Sequence, residues 1–386
     1  MDFEPNEEQR ALQEAARRFA RTELPSLARE LEEKDEPVPH AWRRRYAELG
    51  FLGINTPQQY GGLGLDLLSA LLVLEEFARI SVAVAFPVFE CLAGPVRALE
   101  RFGGEDLKAR ILPRVVRGEM VVAISMSEPD AGTALTDLRT TARLDGDAVV
   151  VSGTKRWCSG AGHSEGYVVF CRMSDAPGAR GIGAVFVEKG TPGLSFGARE
   201  RLMGFRGVPS ADMIFEEVRV PRENLLAPAG GFGQLMGVFN LERCGNATMS
   251  LGLAAGALEE VLAYVQERRQ FGKPIIDFQA TQLRLAEMAM RVEACRLLIH
   301  RAAARAADGL PPLLDASLAK CHANETAREV AGAAVQLMGG YGYARAYGME
   351  QRLRDGWGWG IAGGTIDVQK INIASALAGR RFDQRR

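Results

Sequence analysis

Hydrophobic positions along the chain change their period twice. In the first third they recur three and four residues apart, and Leu12, Ala15, Ala16 and Phe19 form one such stripe. Asn6 and Gln9 precede it with the spacing of a helix N-cap pair, and Pro25 follows, where the helix is expected to end. Residues 39–49 read as a second helix with a basic outer face. Residues 67–80 read as a strongly apolar helix, and Phe102-Gly103-Gly104 and Gly118 punctuate two more. Residues 1–120 therefore read as an all-α domain.

Short apolar runs then take over. Residues 121–126, 147–152, 166–172, 182–187 and 211–220 read as strands, separated by turn-rich segments such as 175–181 and 190–193. Short strands with frequent turns predict a small antiparallel β-barrel or sandwich over 121–228. From Phe232 the helical period returns. Leu285, Met288, Val292, Cys295 and Ile299 alternate three and four apart, with Arg284, Glu287, Arg291 and Arg296 off the stripe. Residues 229–386 read as a helical bundle, and the fold class is α+β.

Composition narrows the function classes. The 386 residues are enough for two or three units sharing a large core. A net charge of −1 argues against a general nucleic-acid binder. The six cysteines form no Cys-x-x-Cys, and the four histidines do not join them at metal spacing, so no metal is expected. Scattered free thiols, no leader pattern and no apolar run of about 18 residues point to a cytoplasmic protein without a membrane span.

The candidate chemistry starts at residues 125–160. Ser125-Met126-Ser127-Glu128-Pro129-Asp130-Ala131-Gly132-Thr133 and Gly153-Thr154-Lys155-Arg156-Trp157-Cys158-Ser159-Gly160 flank a strand pair with Asp145-Gly146-Asp147 as its turn. The two flanks are therefore expected to meet in space. Each offers a hydroxyl beside small residues, and one adds a Trp. Taken alone, this is either a site for a flat polar ligand or two strand ends with a core Trp.

These segments resemble the flavin-binding middle domain of the acyl-CoA dehydrogenase family. Ser127-Glu128-Pro129-Asp130-Ala131-Gly132-Thr133-Ala134 is similar to its Thr-Glu-Pro-x-Ala-Gly-Ser-Asp motif, and Lys155-Arg156-Trp157-Cys158-Ser159 to its Lys-x-Trp-Ile-Thr motif. Ala134 and Cys158 depart from the pattern. The resemblance runs over nearly the whole chain with its pieces in order. It implies an N-terminal helical domain, a middle β domain, a C-terminal four-helix bundle, a homotetramer and one FAD per subunit. It further implies that Ser127 and Ser159 bond the isoalloxazine edge, that Trp157 packs near the ring, and that backbone at Met126 and Thr133 lines the site.

Three later segments extend the resemblance. Glu267-Arg268-Arg269-Gln270-Phe271-Gly272 reads by itself as a helix C-terminus. In the family, the Arg268 position meets the FAD pyrophosphate of the neighbouring subunit, and those of Gln270 and Phe271 help hold the cofactor. Arginine suits a diphosphate because its planar fork bonds two oxygens. In Gln336-Leu337-Met338-Gly339-Gly340-Tyr341-Gly342, the positions of Gln336 and Gly340 approach the ADP portion across the dimer interface. Ala346 and Gln351 depart from the usual acid and base nearby. In Ile361-Ala362-Gly363-Gly364-Thr365-Ile366-Asp367, Thr365 and Asp367 fall at FAD positions.

Gly363 stands where many members carry the catalytic Glu. Isovaleryl- and long-chain acyl-CoA dehydrogenases carry the base earlier, at the position of Glu242 in Phe239-Asn240-Leu241-Glu242-Arg243. By itself Glu242 could be a solvated helix acid paired with Arg243. Together with Gly363, the resemblance implies that it is the base, with Asn240, Arg243 and Gly363 lining the substrate side. The implied reaction is α,β-dehydrogenation of a short, branched or alicyclic acyl-CoA, or of an acyl-carrier-protein thioester, with electrons passing to an electron-transfer flavoprotein. A desulfinase- or monooxygenase-like relative and a non-catalytic flavin-binding subunit are the alternatives.

Overall fold

The computed structural model describes residues 4–382. Six helices come first: α1 (Glu7–Lys34), α2 (His40–Glu48), α3 (Leu67–Ala78), α4 (Val82–Leu92), α5 (Val96–Phe102) and α6 (Glu105–Val116). Asn6 caps α1 as its spacing predicts. Its side chain accepts from Gln9 N at 2.9 Å, and Gln9 Oε1 accepts from Asn6 N at 3.0 Å. The end expected at Pro25 is absent, and α1 runs through it. Leu24, Leu27, Ala28 and Leu31 continue the buried stripe of Ala16, Phe19 and Ala20. Burial of that face offsets a proline penalty of about 3 kcal/mol.

Eight strands follow: β1 (Val122–Ser125), β2 (Thr141–Asp145), β3 (Ala148–Ser159), β4 (Gly166–Arg172), β5 (Ile182–Glu188), β6 (Leu194–Phe196), β7 (Ser210–Pro221) and β8 (Leu225–Ala227). They form one sheet in the order β6-β7-β3-β2-β4-β5-β8, with β1 added against β4. The β1–β4 and β2–β4 pairs are parallel, so the sheet is mixed. The hairpin turn lies where Asp145 pairs with Ala148, with Gly146 at φ 61°. Side chains alternate along β4: Val168 and Phe170 join the core shared with the helices, while Tyr167, Val169 and Cys171 join a core inside the β domain. Burial on both faces explains the unbroken apolar run.

The strand expected to end at 152 instead continues to Ser159. It does so through two register shifts against β7, between Val151 and Gly153 and between Lys155 and Cys158. The second shift holds Trp157 at φ 61° and leaves it 56% exposed. Such bulges re-aim a side chain that regular pleating would direct elsewhere.

The last third holds α7 (Phe232–Glu267), the two-stranded turn of β9 (Arg269–Gln270) and β10 (Lys273–Pro274), α8 (Gln279–Ala304), α9 (Leu313–Met338), α10 (Gly340–Tyr343), α11 (Met349–Trp359) and α12 (Ile366–Ala378). Met288, Val292, Cys295 and Ile299 of α8 are buried together, as their spacing predicts. Ala247, Ala254 and Ala257 of α7 share that core with Ala316, Ala319 and Ala323 of α9. Two apolar helical stretches, Val82–Phe102 and Phe232–Glu267, are long enough to cross a bilayer by length and composition. Their most apolar windows are 94% and 67% buried inside the protein, which makes them core helices. Trp359 joins the three regions. Its ring lies 5.4 Å from Phe89, 6.5 Å from Phe86 and 4.8 Å from Phe205.

Candidate active site

The two halves of the β-domain motif meet. Arg156 N donates to Ser127 O at 3.0 Å. Lys155 Nζ donates to Met126 O at 2.8 Å and to Glu128 Oε1 at 2.9 Å. Glu128 also accepts from Arg139 N and Thr140 N. Burial would raise the Glu128 carboxyl, but Lys155 and these donors outweigh it and hold it below the usual carboxylate range. The clamp is satisfied on every side, so it fixes the crossing of the two segments. Ser127 and Ser159 are half-buried, and among the described residues their hydroxyls bond no protein group. Thr133 is exposed in the connection after β1. Arg156 lies 4.8 Å from the Trp157 ring centroid, and Trp157 is exposed. Free hydroxyls beside an uncovered aromatic fit a flat polar cofactor.

Glu242 lies on α7 and is buried. Its Oε2 has no hydrogen-bond partner. Arg243 does not pair with it: the guanidinium donates to Asn240 Oδ1 and sits 5.3 Å from the Phe239 ring centroid. Asn240 in turn donates to Pro311 O at 3.0 Å. Burial pushes the Glu242 carboxyl above its ordinary range, while the charges of Lys320 and Arg243 pull it back. Gly363, at φ 65°, lies against this carboxylate. A second carboxyl, Glu90 of α4, is 3% exposed with Oε2 unpartnered. Burial first, and the neighbouring Glu242 second, push it well above the carboxylate range.

Arg268, Gln270 and Gly340 line a cavity of about 520 Å³, together with Met338 and Tyr341. Arg268 lies 5.3 Å from the Tyr341 ring centroid and forms no ion pair among the described residues. Gln336 and Phe271 do not line this cavity; the Phe271 side chain is 94% exposed. Thr365 caps α12, accepting from Val368 N at 3.3 Å, and Asp367 is exposed in its first turn. The predicted residues therefore fall into separate groups on the β domain, around Glu242, around the Arg268 cavity and at the start of α12.

Sequence reasoning missed Glu90 and Lys320. A signal was available for each. Glu90 is the lone charge in the apolar run 82–93, and Lys320 stands beside the alanine stripe of α9. A charge at a core position is the informative exception to burial rules.

Comparison with known proteins agrees with this architecture. Residues 6–119, 123–218 and 229–378 match the N-terminal, middle and C-terminal domain families of acyl-CoA dehydrogenase. An acryloyl-CoA reductase (NADH) of Anaerotignum propionicum is 36% identical, over 98% of this chain and 97% of its own. An acyl-CoA dehydrogenase of Bacillus subtilis is also 36% identical, over 97% and 98%. A 3-sulfinopropanoyl-CoA desulfinase of Paraburkholderia xenovorans is 35% identical, over 100% and 99%. The solved butyryl-CoA dehydrogenase of Megasphaera elsdenii superimposes with a TM-score of 0.94 at 32% identity, covering 98% of this chain and 100% of its own. With all three domains matched in order, the chain belongs to the acyl-CoA dehydrogenase family of FAD-dependent oxidoreductases.

Proposed function

We propose that this enzyme converts a short, branched or alicyclic acyl-CoA to its trans-2-enoyl thioester, with Glu242 as the base. The observation that carries the reading is the state of Glu242: a buried carboxyl without an ion pair, backed by a glycine. Burial raises its proton affinity toward neutrality, where a base is most effective at accepting a proton from carbon. Glu242 takes the α-proton, the β-hydrogen leaves with its electron pair, and the α,β double bond forms. When bound, FAD supplies the acceptor for that hydride.

Ser127 and Ser159 hold free hydroxyls to donate to the cofactor, with Trp157 beside them and the backbone at Met126 and Thr133 along the edge. Arg268, with Gln270, Phe271, Gln336 and Gly340, would serve the cofactor of a neighbouring subunit, and Thr365 and Asp367 its near side. Asn240 and Arg243 would brace the substrate side of α7 next to Gly363. A homotetramer is supported by Leu283, Met290 and Leu297, seven apart on α8 and 60%, 72% and 47% exposed. An electron-transfer flavoprotein would reoxidise the enzyme, in the cytoplasm. A desulfinase activity is the second reading, favoured by the 35% identity to such an enzyme.

One experiment separates the two. Acyl-CoA is added anaerobically to the yellow holoenzyme, and the flavin absorbance is followed. Bleaching supports dehydrogenation, whereas turnover without bleaching supports the second reading. Glu242→Gln should bind FAD and acyl-CoA yet reduce flavin about a hundredfold more slowly, the usual range for a positioned base.

A further inference from the structure

A fully buried polar network lies directly beneath Glu242. On α9, Ser317, Lys320 and Asn324 line one face. On α7, Asn246 and Ser250 continue the face of Glu242 at four-residue steps. Gln369 of α12 completes the set, and all six side chains are 0% exposed. Lys320 Nζ donates to Ala362 O at 2.9 Å and to Gly364 O at 3.0 Å, the carbonyls on either side of Gly363. It also reaches Asn324 Oδ1 at 3.0 Å. Asn324 Nδ2 donates to Asn246 Oδ1 at 2.9 Å and to Ser250 Oγ at 2.8 Å. Gln369 Nε2 donates to Gly364 O at 3.0 Å and its Oε1 accepts from Ser317 Oγ at 3.2 Å.

A bundle core of alanines has no packing need for a buried ammonium, and burying one is costly unless something requires it. Among the described residues no carboxylate pairs with Lys320 at ion-pair distance; its direct partners are carbonyl and amide oxygens. Carbonyl oxygens solvate the ammonium without neutralising it. Burial lowers the Lys320 ammonium but leaves it charged on the acid side of neutrality, where it acts on the nearby Glu242 carboxylate. The charged and titratable groups facing that carboxylate are Arg243 on α7, Lys320 on α9 and Glu90 on α4. Lys320 and Arg243 both favour a charged Glu242, Lys320 the more strongly, while burial holds Glu90 in its neutral form beside them.

We propose that Lys320 is a positioning residue for the base: it ties down the loop around Gly363 and supplies the buried positive charge that keeps Glu242 ready to accept a proton. The proposal rests on Glu242 being the base. Its sign is fixed. Flavin reduction requires ionised Glu242, so the acid limb of its pH profile reports protonation of that group. Without the Lys320 charge, ionisation is harder and the limb moves to higher pH.

The test is single-turnover flavin reduction by an acyl-CoA that bleaches the wild-type holoenzyme, measured anaerobically across pH. Lys320→Met should move the acid limb up by about one unit, a roughly tenfold slower reduction on the acid side. Asn324→Asp is isosteric, places a carboxylate on Lys320 Nζ, and should move the limb the same way. Asn246→Ala loosens the network without changing charge and should lower the plateau with the limb in place. An unmoved limb in Lys320→Met overturns the proposal. If that variant does not fold, an unmoved limb in Asn324→Asp does so. A limb shift as large in Asn246→Ala also overturns it, because packing would then be the cause. Glu242→Gln keeps the two claims apart. Wild-type reduction in that variant defeats the base assignment, whereas an inactive Glu242→Gln with an unmoved limb in Lys320→Met defeats only the role of Lys320.

Discussion

A β-carbon built on Gly363 would lie 2.7 Å from Oε1 and 2.9 Å from Oε2 of Glu242. Both distances are below any ordinary carbon–oxygen contact, so the carboxylate occupies the space where a side chain at 363 would begin. Residues far apart in sequence thus converge on one point, and only one of them can place a side chain there. Gly363→Ala should therefore displace Glu242. The backbone at φ 65° adds strain of about 1–2 kcal/mol for an L-residue. We expect FAD to be retained and single-turnover flavin reduction to fall at least tenfold, since a displacement near 1 Å can cost about a hundredfold. An alanine variant that reduces its flavin at the wild-type rate would show that the Glu242 carboxylate is free to relocate without loss.

The Arg268 cavity gives a second prediction. The guanidinium has an aromatic neighbour, Tyr341, and no acid within ion-pair distance among the described residues. An unpaired arginine among the mostly apolar residues lining this hollow suits a diphosphate. Arg268→Ala should leave the subunit folded and weaken FAD retention, through loss of a charge-assisted contact of about 1.5–3 kcal/mol. FAD release during dialysis or gel filtration, read from the flavin-to-protein absorbance ratio, measures it. A ratio equal to wild type would return Arg268 to the status of a helix-end charge.

Much of this site was legible in the chain, and the gaps have physical reasons. The hairpin at Gly146 and the α8 stripe followed from turn chemistry and periodicity, which act locally. The meeting of Ser127 with Arg156 followed from that hairpin. The continuation of α1 through Pro25 did not, because it depends on what Leu27 and Leu31 bury against. The bulge that turns Trp157 outward was hidden for a similar reason: it is a mismatch between β3 and β7, distant in sequence. Glu90 and Lys320 needed three dimensions. Glu90 looks like an isolated charge in an apolar helix and Lys320 like one of several charges on α9, and only packing reveals that both face Glu242.

Glu90 gives a prediction with a defined pH dependence. Its folded-state carboxyl is raised well above the carboxylate range, by burial and then by Glu242. A raised group stabilises fully below its unfolded pKa, and that contribution is lost as pH climbs through the folded value. Glu90→Gln mimics the protonated acid at all pH values. The variant and the wild type should therefore melt alike near pH 4. From there upward the variant should gain on the wild type. Thermal melting of the holoenzymes from pH 4 to 8 tests this, and a melting difference that stays flat across the range would remove the claim that Glu90 is carried neutral.

The last prediction uses the convergence of 242 and 363 in reverse. If one point in the site needs a carboxylate, its origin in the chain is secondary. Glu242→Gly vacates the space that blocks a side chain at 363, and Gly363→Glu then supplies the missing group from the opposite wall. The double variant has to bear the left-handed backbone at 363, so its position will be imperfect and its recovery partial. Lys320 still flanks the new carboxylate through the carbonyls of Ala362 and Gly364. We expect Glu242→Gly alone to lose flavin reduction by about a hundredfold or more, the contribution of a positioned base. Gly363→Glu alone should be poor as well, because two carboxylates would compete for one space. The double variant should exceed both in single-turnover flavin reduction. A double variant no faster than Glu242→Gly would mean that the carboxylate must arrive from α7, and that nearness of the two positions is a matter of packing alone.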